Sequence, residues 1–255
     1  MWFLHIVSDA TRRFWFFIFD RFILYPLMNQ LSQTFGTKFM NLGYWPTKES
    51  YTNIFTNSDL DRPHYFLYER ALKLHSHYPD LEGLRIVDVG CGQGPLQILE
   101  CAVPNPDIIP GDAHHLPHRI RNTISLATVK LLNVESSHLY ADSEQFFREC
   151  SRVLRKDGYL CWTDLLYRSQ VAEIREQALR AGLFEEHWED ITDNILEGIE
   201  RTAARYDSLL MKAPPLVRLF SASLRATYCA PGTHTYARIS RGEKGYYAAL
   251  WRNNA

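Results

Sequence analysis

Apolar positions change their spacing several times along the chain, and each change marks an element. Arg85-Ile86-Val87-Asp88-Val89 is a short β-branched run between Gly83 and Gly90, the pattern of a strand buried in a parallel sheet. Residues 128–134 carry a second run of this kind. After it, Phe146, Phe147, Cys150, Val153 and Leu154 share one helical face behind a cap at Asp142 or Ser143, and Asp157-Gly158 stops the helix. Residues 159–162 predict the next strand. One helix is predicted from about Ser169 to Ala181, ended by Gly182. A longer one runs from about Thr192 to Lys212, where Ile195, Leu196, Ile199, Ala203, Tyr206, Leu209 and Leu210 recur until Pro214-Pro215. Residues 235–239 alternate like a strand, the chain turns near Gly242, and residues 245–251 complete a hairpin at the sheet edge.

Strands alternating with helices predict an α/β fold with a largely parallel sheet. The first 80 residues read as mostly helical and form an N-terminal cap; residues 81–255 form the sheet-bearing domain. At 255 residues the chain is long enough for one full core. A formal net charge of −1 supplies no basic field, so nucleic acid is not an expected partner.

Five cysteines, Cys91, Cys101, Cys150, Cys161 and Cys229, lack the paired spacing of a zinc site, and reduced thiols in a cytoplasmic setting are expected. His114, His115 and His118 cluster without a fourth ligand nearby and read as loop histidines, with no metal site. The aromatic run at residues 14–25 is interrupted by Asp20 and Arg21 and is too short to span a bilayer, which takes about 20 apolar residues. Two readings remain: a helix covering the substrate mouth, or one whose aromatic face makes peripheral membrane contact.

The strand ending in Asp88 runs into Gly90-x-Gly92-x-Gly94. Glycines there permit a tight turn and close backbone approach to a ligand at the carboxyl edge of a sheet. The last glycine comes two residues after the second instead of three, and the strand ends in an acid. This suits the amino-acid end of S-adenosylmethionine better than a pyrophosphate.

Asp88-Val89-Gly90-Cys91-Gly92-Gln93-Gly94 resembles motif I of the class I S-adenosylmethionine-dependent methyltransferases, a Rossmann-like family. Gly111-Asp112-Ala113-His114-His115-Leu116-Pro117 resembles a later segment whose acid approaches the adenine. Asn133-Val134-Glu135-Ser136-Ser137-His138-Leu139-Tyr140, with residues 152–159 and Asp164-Leu165, is similar to the phthiotriolone and fatty-acid O-methyltransferase group. Asn41-Leu42-Gly43-Tyr44-Trp45 matches that group's aromatic motif ahead of the core, where a tyrosine closes over the cofactor. The resemblance implies S-adenosyl-L-methionine as cofactor, held by Asp88, Gly90, Cys91, Gly92, Gly94, Asp112, Ala113, Asn133 and Tyr44. It also implies a lipid or other hydrophobic small-molecule substrate.

One departure stands out. A complete strand–helix–strand crossover takes roughly 30 residues, and the interval from Asp88 to Asp112 is shorter. The sheet is therefore expected to be shortened after its first strand–helix unit. No clear counterpart exists for the acid that holds the ribose, unless Asp107 or Asp112 is recruited.

On the acceptor side, His138 follows the carboxyl edge of the second predicted strand, and its ordinary pKa suits proton removal near neutrality. Glu135, three residues earlier, is expected to orient His138 or bind the acceptor; the bland alternative is that both pack and cap the junction. Asp164 is expected to be structural. The leading expectation is an O-methyltransferase of lipids. The competing one is a catalytically impaired or inactive relative with an incomplete cofactor site.

Overall fold

The computed structural model describes residues 41–47, 61–75, 78, 85–91, 112–116, 129–213 and 215–254. The aromatic run at 14–25, Gly92, Gly94, Asp107 and His118 lie outside them, as does the span where the shortened crossover is expected. In chain order the elements are α1 (Arg62–Leu72), β1 (Arg85–Asp88), β2 (Val129–Val134), α2 (Ser143–Val153), β3 (Tyr159–Tyr167), α3 (Val171–Arg180), β4 (Leu183–Asp190), α4 (Thr192–Lys212), α5 (Pro215–Arg218), α6 (Ser221–Thr227), α7 (His234–Ser240) and β5 (Lys244–Asn253).

The five strands form one sheet in the order β1-β2-β3-β5-β4. β1, β2 and β3 pair in parallel, with Asp88 opposite Leu132 and Asn133 opposite Trp162. β5 runs antiparallel to both β3 and β4. Side-chain alternation along the inner strands builds two separate cores. Leu132, Val134, Cys161, Leu165, Tyr246, Ala248 and Leu250 face α1, α4 and the 42–44 segment. Leu131, Leu160, Trp162, Leu166, Tyr247, Ala249 and Trp251 face α2 and α3. The result is the three-layer α/β arrangement expected from the pattern.

The caps explain the boundaries. Asp142 accepts from the Gln145 N–H at 2.9 Å and starts α2, whose predicted apolar face is buried in the second core. Asp190 accepts from the Thr192 N–H at 3.0 Å and starts α4 at its predicted residue. Asp157, with φ +61°, turns the chain between α2 and β3.

Two expectations for the C-terminal region are corrected. Residues 235–239 lie in the helix α7 instead of a strand; among them only Ile239 is buried, so their apparent alternation has no second buried position to serve. β5 is not part of an edge hairpin but an inner strand, inserted between β3 and β4. Its run from Gly245 to Trp251 is apolar on both faces because both faces are covered. The edge is β4, Leu183–Asp190, whose many acids hid it from a search for apolar alternation and suit an edge exposed to solvent.

Candidate active site

The carboxyl ends of β1, β2 and β3 gather most of the residues singled out in the sequence. β1 ends at Asp88, whose two carboxylate oxygens are buried, and among the described residues only the Tyr68 hydroxyl is set against them. Burial pushes its pKa up to about 7, with the nearby Tyr68 hydroxyl pulling the other way. Beyond it, Gly90 takes φ +80°. A side chain there would collide with Ser136 Oγ, 2.4 Å from the position of a Cβ, and with the Tyr140 hydroxyl at 2.5 Å. This glycine is therefore required twice, by its backbone conformation and by the close seat of the β2 turn on the β1 turn. Cys91 is a half-buried thiol, its pKa raised by burial and by the Asp88 charge.

Asn133 locks the two strand ends together. Its Nδ2 donates to the Val89 carbonyl at 2.8 Å and to Ser136 Oγ at 2.7 Å, while its buried Oδ1 has no partner among the described residues. Adjacent strand ends thus present a carboxylate and an amide oxygen, both buried acceptors with bonding capacity to spare. Unsatisfied acceptors of this kind are uncommon in native proteins and cluster where a ligand completes the bonding.

Glu135 follows in a left-handed backbone conformation, φ +53°, which is rare outside glycine and costs free energy. Its Oε2 accepts from the Leu42 N–H at 2.7 Å and from the Tyr246 hydroxyl at 3.0 Å. Burial raises its pKa to about 7 against those hydrogen bonds. The expectation that Glu135 orients His138 is not what the geometry shows: Glu135 holds the 41–45 strap and β5.

The residue on the His138 ring is Asp164, on β3. Its Oδ1 meets His138 Nδ1 at 2.6 Å and accepts from the Leu165 N–H at 2.8 Å. Its Oδ2 accepts from Ser137 Oγ at 2.5 Å and from the His138 N–H at 2.9 Å. Trp162 Nε1 donates to Ser137 Oγ at 2.8 Å, extending the chain of bonds into the second core. A carboxylate only accepts, so Nδ1 carries the proton and Nε2 keeps the free lone pair. The Asp164 side chain is fully buried, whereas 26% of the His138 side chain is exposed. Burial lowers the imidazole pKa, but the Asp164 hydrogen bond and charge, with Glu135 behind them, outweigh it and leave the pKa raised. Asp164 was expected to be structural; it also fixes the tautomer of the candidate base. The available signal was its place at the end of the strand next to His138.

Tyr44 is buried in the first core within a tightly held strap. Its N–H donates to the Pro63 carbonyl at 2.8 Å, Trp45 N–H to the Asn194 carbonyl at 2.9 Å, and Arg201 lies 4.0 Å over the Trp45 ring. Gly198 on α4 makes room for this strap: a Cβ there would sit 2.7 Å from the Gly43 carbonyl carbon and oxygen. The helical pattern gave no reason to single out Gly198.

The Asp112 segment stands apart, docked on α2. Asp112 is exposed and its Oδ1 accepts from the His114 N–H and meets His114 Nδ1, both at 2.9 Å. These bonds, the backbone one foremost, lower its pKa. Asp142 N–H donates to His114 Nε2 at 3.2 Å, and Leu116 N–H to Glu149 Oε2 at 2.7 Å. Ala113 packs partly buried against the second core.

No protein-family model matches the chain. It is 29% identical over 201 residues to a probable phthiotriol/phenolphthiotriol dimycocerosates methyltransferase 2 of Mycobacterium ulcerans, covering 69% of this chain and 74% of that one. It is 27% identical over 206 residues to a fatty-acid O-methyltransferase of Mycolicibacterium smegmatis, covering 71% and 72%. Among solved structures, the [4+2]-cyclase SpnF superposes with TM-score 0.59 at 18% identity, covering 90% of this chain and 93% of that one. A putative sarcosine dimethylglycine methyltransferase from Galdieria sulphuraria follows at 0.56 and 14%, covering 89% and 97%. The parallel order of β1, β2 and β3, the antiparallel β5 beside them and these structural neighbours give the chain the class I methyltransferase fold, and in sequence it is similar to the phthiotriol dimycocerosates and fatty-acid O-methyltransferases.

Proposed function

We propose that the chain methylates an oxygen of a lipid or other hydrophobic small molecule, with S-adenosylmethionine as methyl donor and His138 as the residue that receives the acceptor's proton. The observation that carries this reading is the His138–Asp164 pair at the carboxyl edge of the sheet, next to the strand ends that present Asp88 and Asn133.

The residues present fit the cofactor. Asp88 and the Asn133 Oδ1 are buried acceptors with bonding capacity to spare among the described residues, and the ammonium of the amino-acid end is a donor of matching charge. When bound, S-adenosylmethionine supplies a methyl group on a positively charged sulfur. The protein's own work is alignment and proton handling. Asp164 holds the His138 ring with Nε2 free, and the raised pKa makes that nitrogen a stronger base than an ordinary imidazole. For an alcohol, His138 takes the hydroxyl proton during attack. For a carboxylate, no proton need leave, and protonated His138 pairs with the substrate instead. Relatives identified by name as acting on phthiotriol or on fatty acids support a hydrophobic acceptor of either type.

Methyl transfer from labelled S-adenosylmethionine to a long-chain fatty acid and to a long-chain secondary alcohol tests the proposal. Label in either lipid product, lost in His138→Ala, supports it. No transfer to either by folded protein that binds the cofactor counts against it.

A second reading has its own observation. The interval from Asp88 to Asp112 is too short for a complete crossover, which takes roughly 30 residues. A chain that folds and does not bind S-adenosylmethionine would be a non-catalytic relative. That the fold also serves a cyclase shows that the scaffold alone does not fix the reaction.

A further inference from the structure

At the sheet edge opposite Asp88 and His138, the ends of α2, α3 and β5 enclose an open cleft of about 490 Å³. Arg148, Arg152, Arg155, Lys156 and Arg180 line it, and no carboxylate does. Five cationic side chains thus converge on one cleft, three of them paired with carboxylates behind it.

Helix ends account for part of this, because cations favour the carbonyl end of a helix. Yet the carbonyls at the end of α2 already have a partner. Asn253 Nδ2 donates to the carbonyls of Ser151 and Leu154 at 3.0 Å and lies 3.3 Å from that of Arg155, and Ser151 Oγ donates back to Asn253 Oδ1 at 3.0 Å. The cations are therefore not needed as caps there.

Carboxylates behind the rim fix three of the guanidiniums. Arg148 pairs with Glu144, Arg180 with Glu144 at 2.8 Å, Glu176 at 3.1 Å and Glu173 at 3.2 Å, and Arg152 with Glu149 at 2.7 Å. A guanidinium is a planar fork of N–H donors, so these pairs fix each fork in place. Lys156, exposed at the rim, has no carboxylate partner among the described residues. Oriented arginines beside a freely reaching lysine form a donor set suited to a tetrahedral polyanion.

We propose that this cleft binds a phosphate group, at a site separate from methyl transfer. The phosphate belongs to a soluble ligand or to a lipid headgroup, and the two sources are separable by experiment. Inorganic pyrophosphate is titrated calorimetrically into the full chain at constant ionic strength, and the same protein is sedimented with phosphatidylcholine vesicles with and without phosphatidylglycerol. The variants are Arg155→Ala/Lys156→Ala and Lys156→Glu, each checked for native circular dichroism and thermal midpoint. Arg155 and Lys156 are exposed, so the folded state is expected to survive both changes.

Saturable pyrophosphate binding, weakened roughly tenfold or more by the variants, assigns a soluble ligand. Retention only on vesicles containing phosphatidylglycerol, lost in the same variants, assigns a headgroup. Absence of both in the wild type, or binding that the variants leave unchanged, overturns the proposal. Cofactor binding at the other edge should be unaltered in both variants.

Discussion

Two buried amides at opposite ends of the sheet are treated in opposite ways. At the end where α2 and β5 stop, Asn253 is buried and bonded through both ends of its amide. At the other end Asn133 keeps an oxygen with no partner among the described residues, Asp88 beside it has buried oxygens that only the Tyr68 hydroxyl faces there, and Glu135 holds a strained left-handed backbone. The first end is arranged for stability. The second gives stability up, and such departures concentrate where a ligand restores the balance.

The largest expected effect concerns the His138–Asp164 pair, proposed to face the acceptor. His138→Ala is expected to lower the turnover of an alcohol acceptor by roughly a hundredfold to ten-thousandfold, measured as initial rates at saturating cofactor. Asp164→Asn keeps the shape but removes the charge that raises the His138 pKa. Its rate–pH profile should therefore shift to lower pH, a change that a purely structural role would not produce.

At the satisfied edge, Asn253→Ala should destabilise the fold by about 2–4 kcal/mol in denaturant melts, because several buried backbone carbonyls lose their donor. At the other end the sign reverses. Asp88→Asn should stabilise the cofactor-free protein at pH 8, since it removes a buried carboxylate whose desolvation outweighs the Tyr68 hydrogen bond. Equal signs for the two substitutions would break the comparison.

Glu135 sharpens it through pH. Its folded pKa, about 7, lies above the ordinary 4.5, so the folded state favours the protonated carboxyl. The cost of ionising it is absent below about 4.5, grows as pH rises, and is fully present above about 7. Glu135→Gln, which can still accept from Leu42 and Tyr246, should stabilise the fold at pH 8, with the gain vanishing by pH 4. The smallest effect is expected at the strap, where Arg201→Ala should cost about 1 kcal/mol through loss of the contact over Trp45.

Much of this was legible in sequence because local pattern and tertiary role agree. The α2 face, the start of α4 at Thr192 and the glycine turn after Asp88 each follow from spacing and caps. β4 was not legible, because an edge strand need not alternate and its acids mask it. β5 was read as an edge because its double-sided apolar run is explained only by neighbours distant in sequence. In the site, Asp88, Asn133 and His138 were marked by motif, while the partner of His138 was misassigned. Glu135 is the nearer acid in sequence, but Asp164 is brought to the ring by the β2–β3 register.

The cofactor is proposed to seat where β1 and β2 end, on Asp88 and Asn133. Calorimetric titration of S-adenosylmethionine into the purified chain, with Asp88→Asn beside the wild type, reads this seat out. Micromolar-range binding to the wild type is expected, weakening as pH falls below about 7, where Asp88 becomes protonated, and lost in the variant. Absence of heat with folded wild type, or equal affinity in Asp88→Asn, would contradict it.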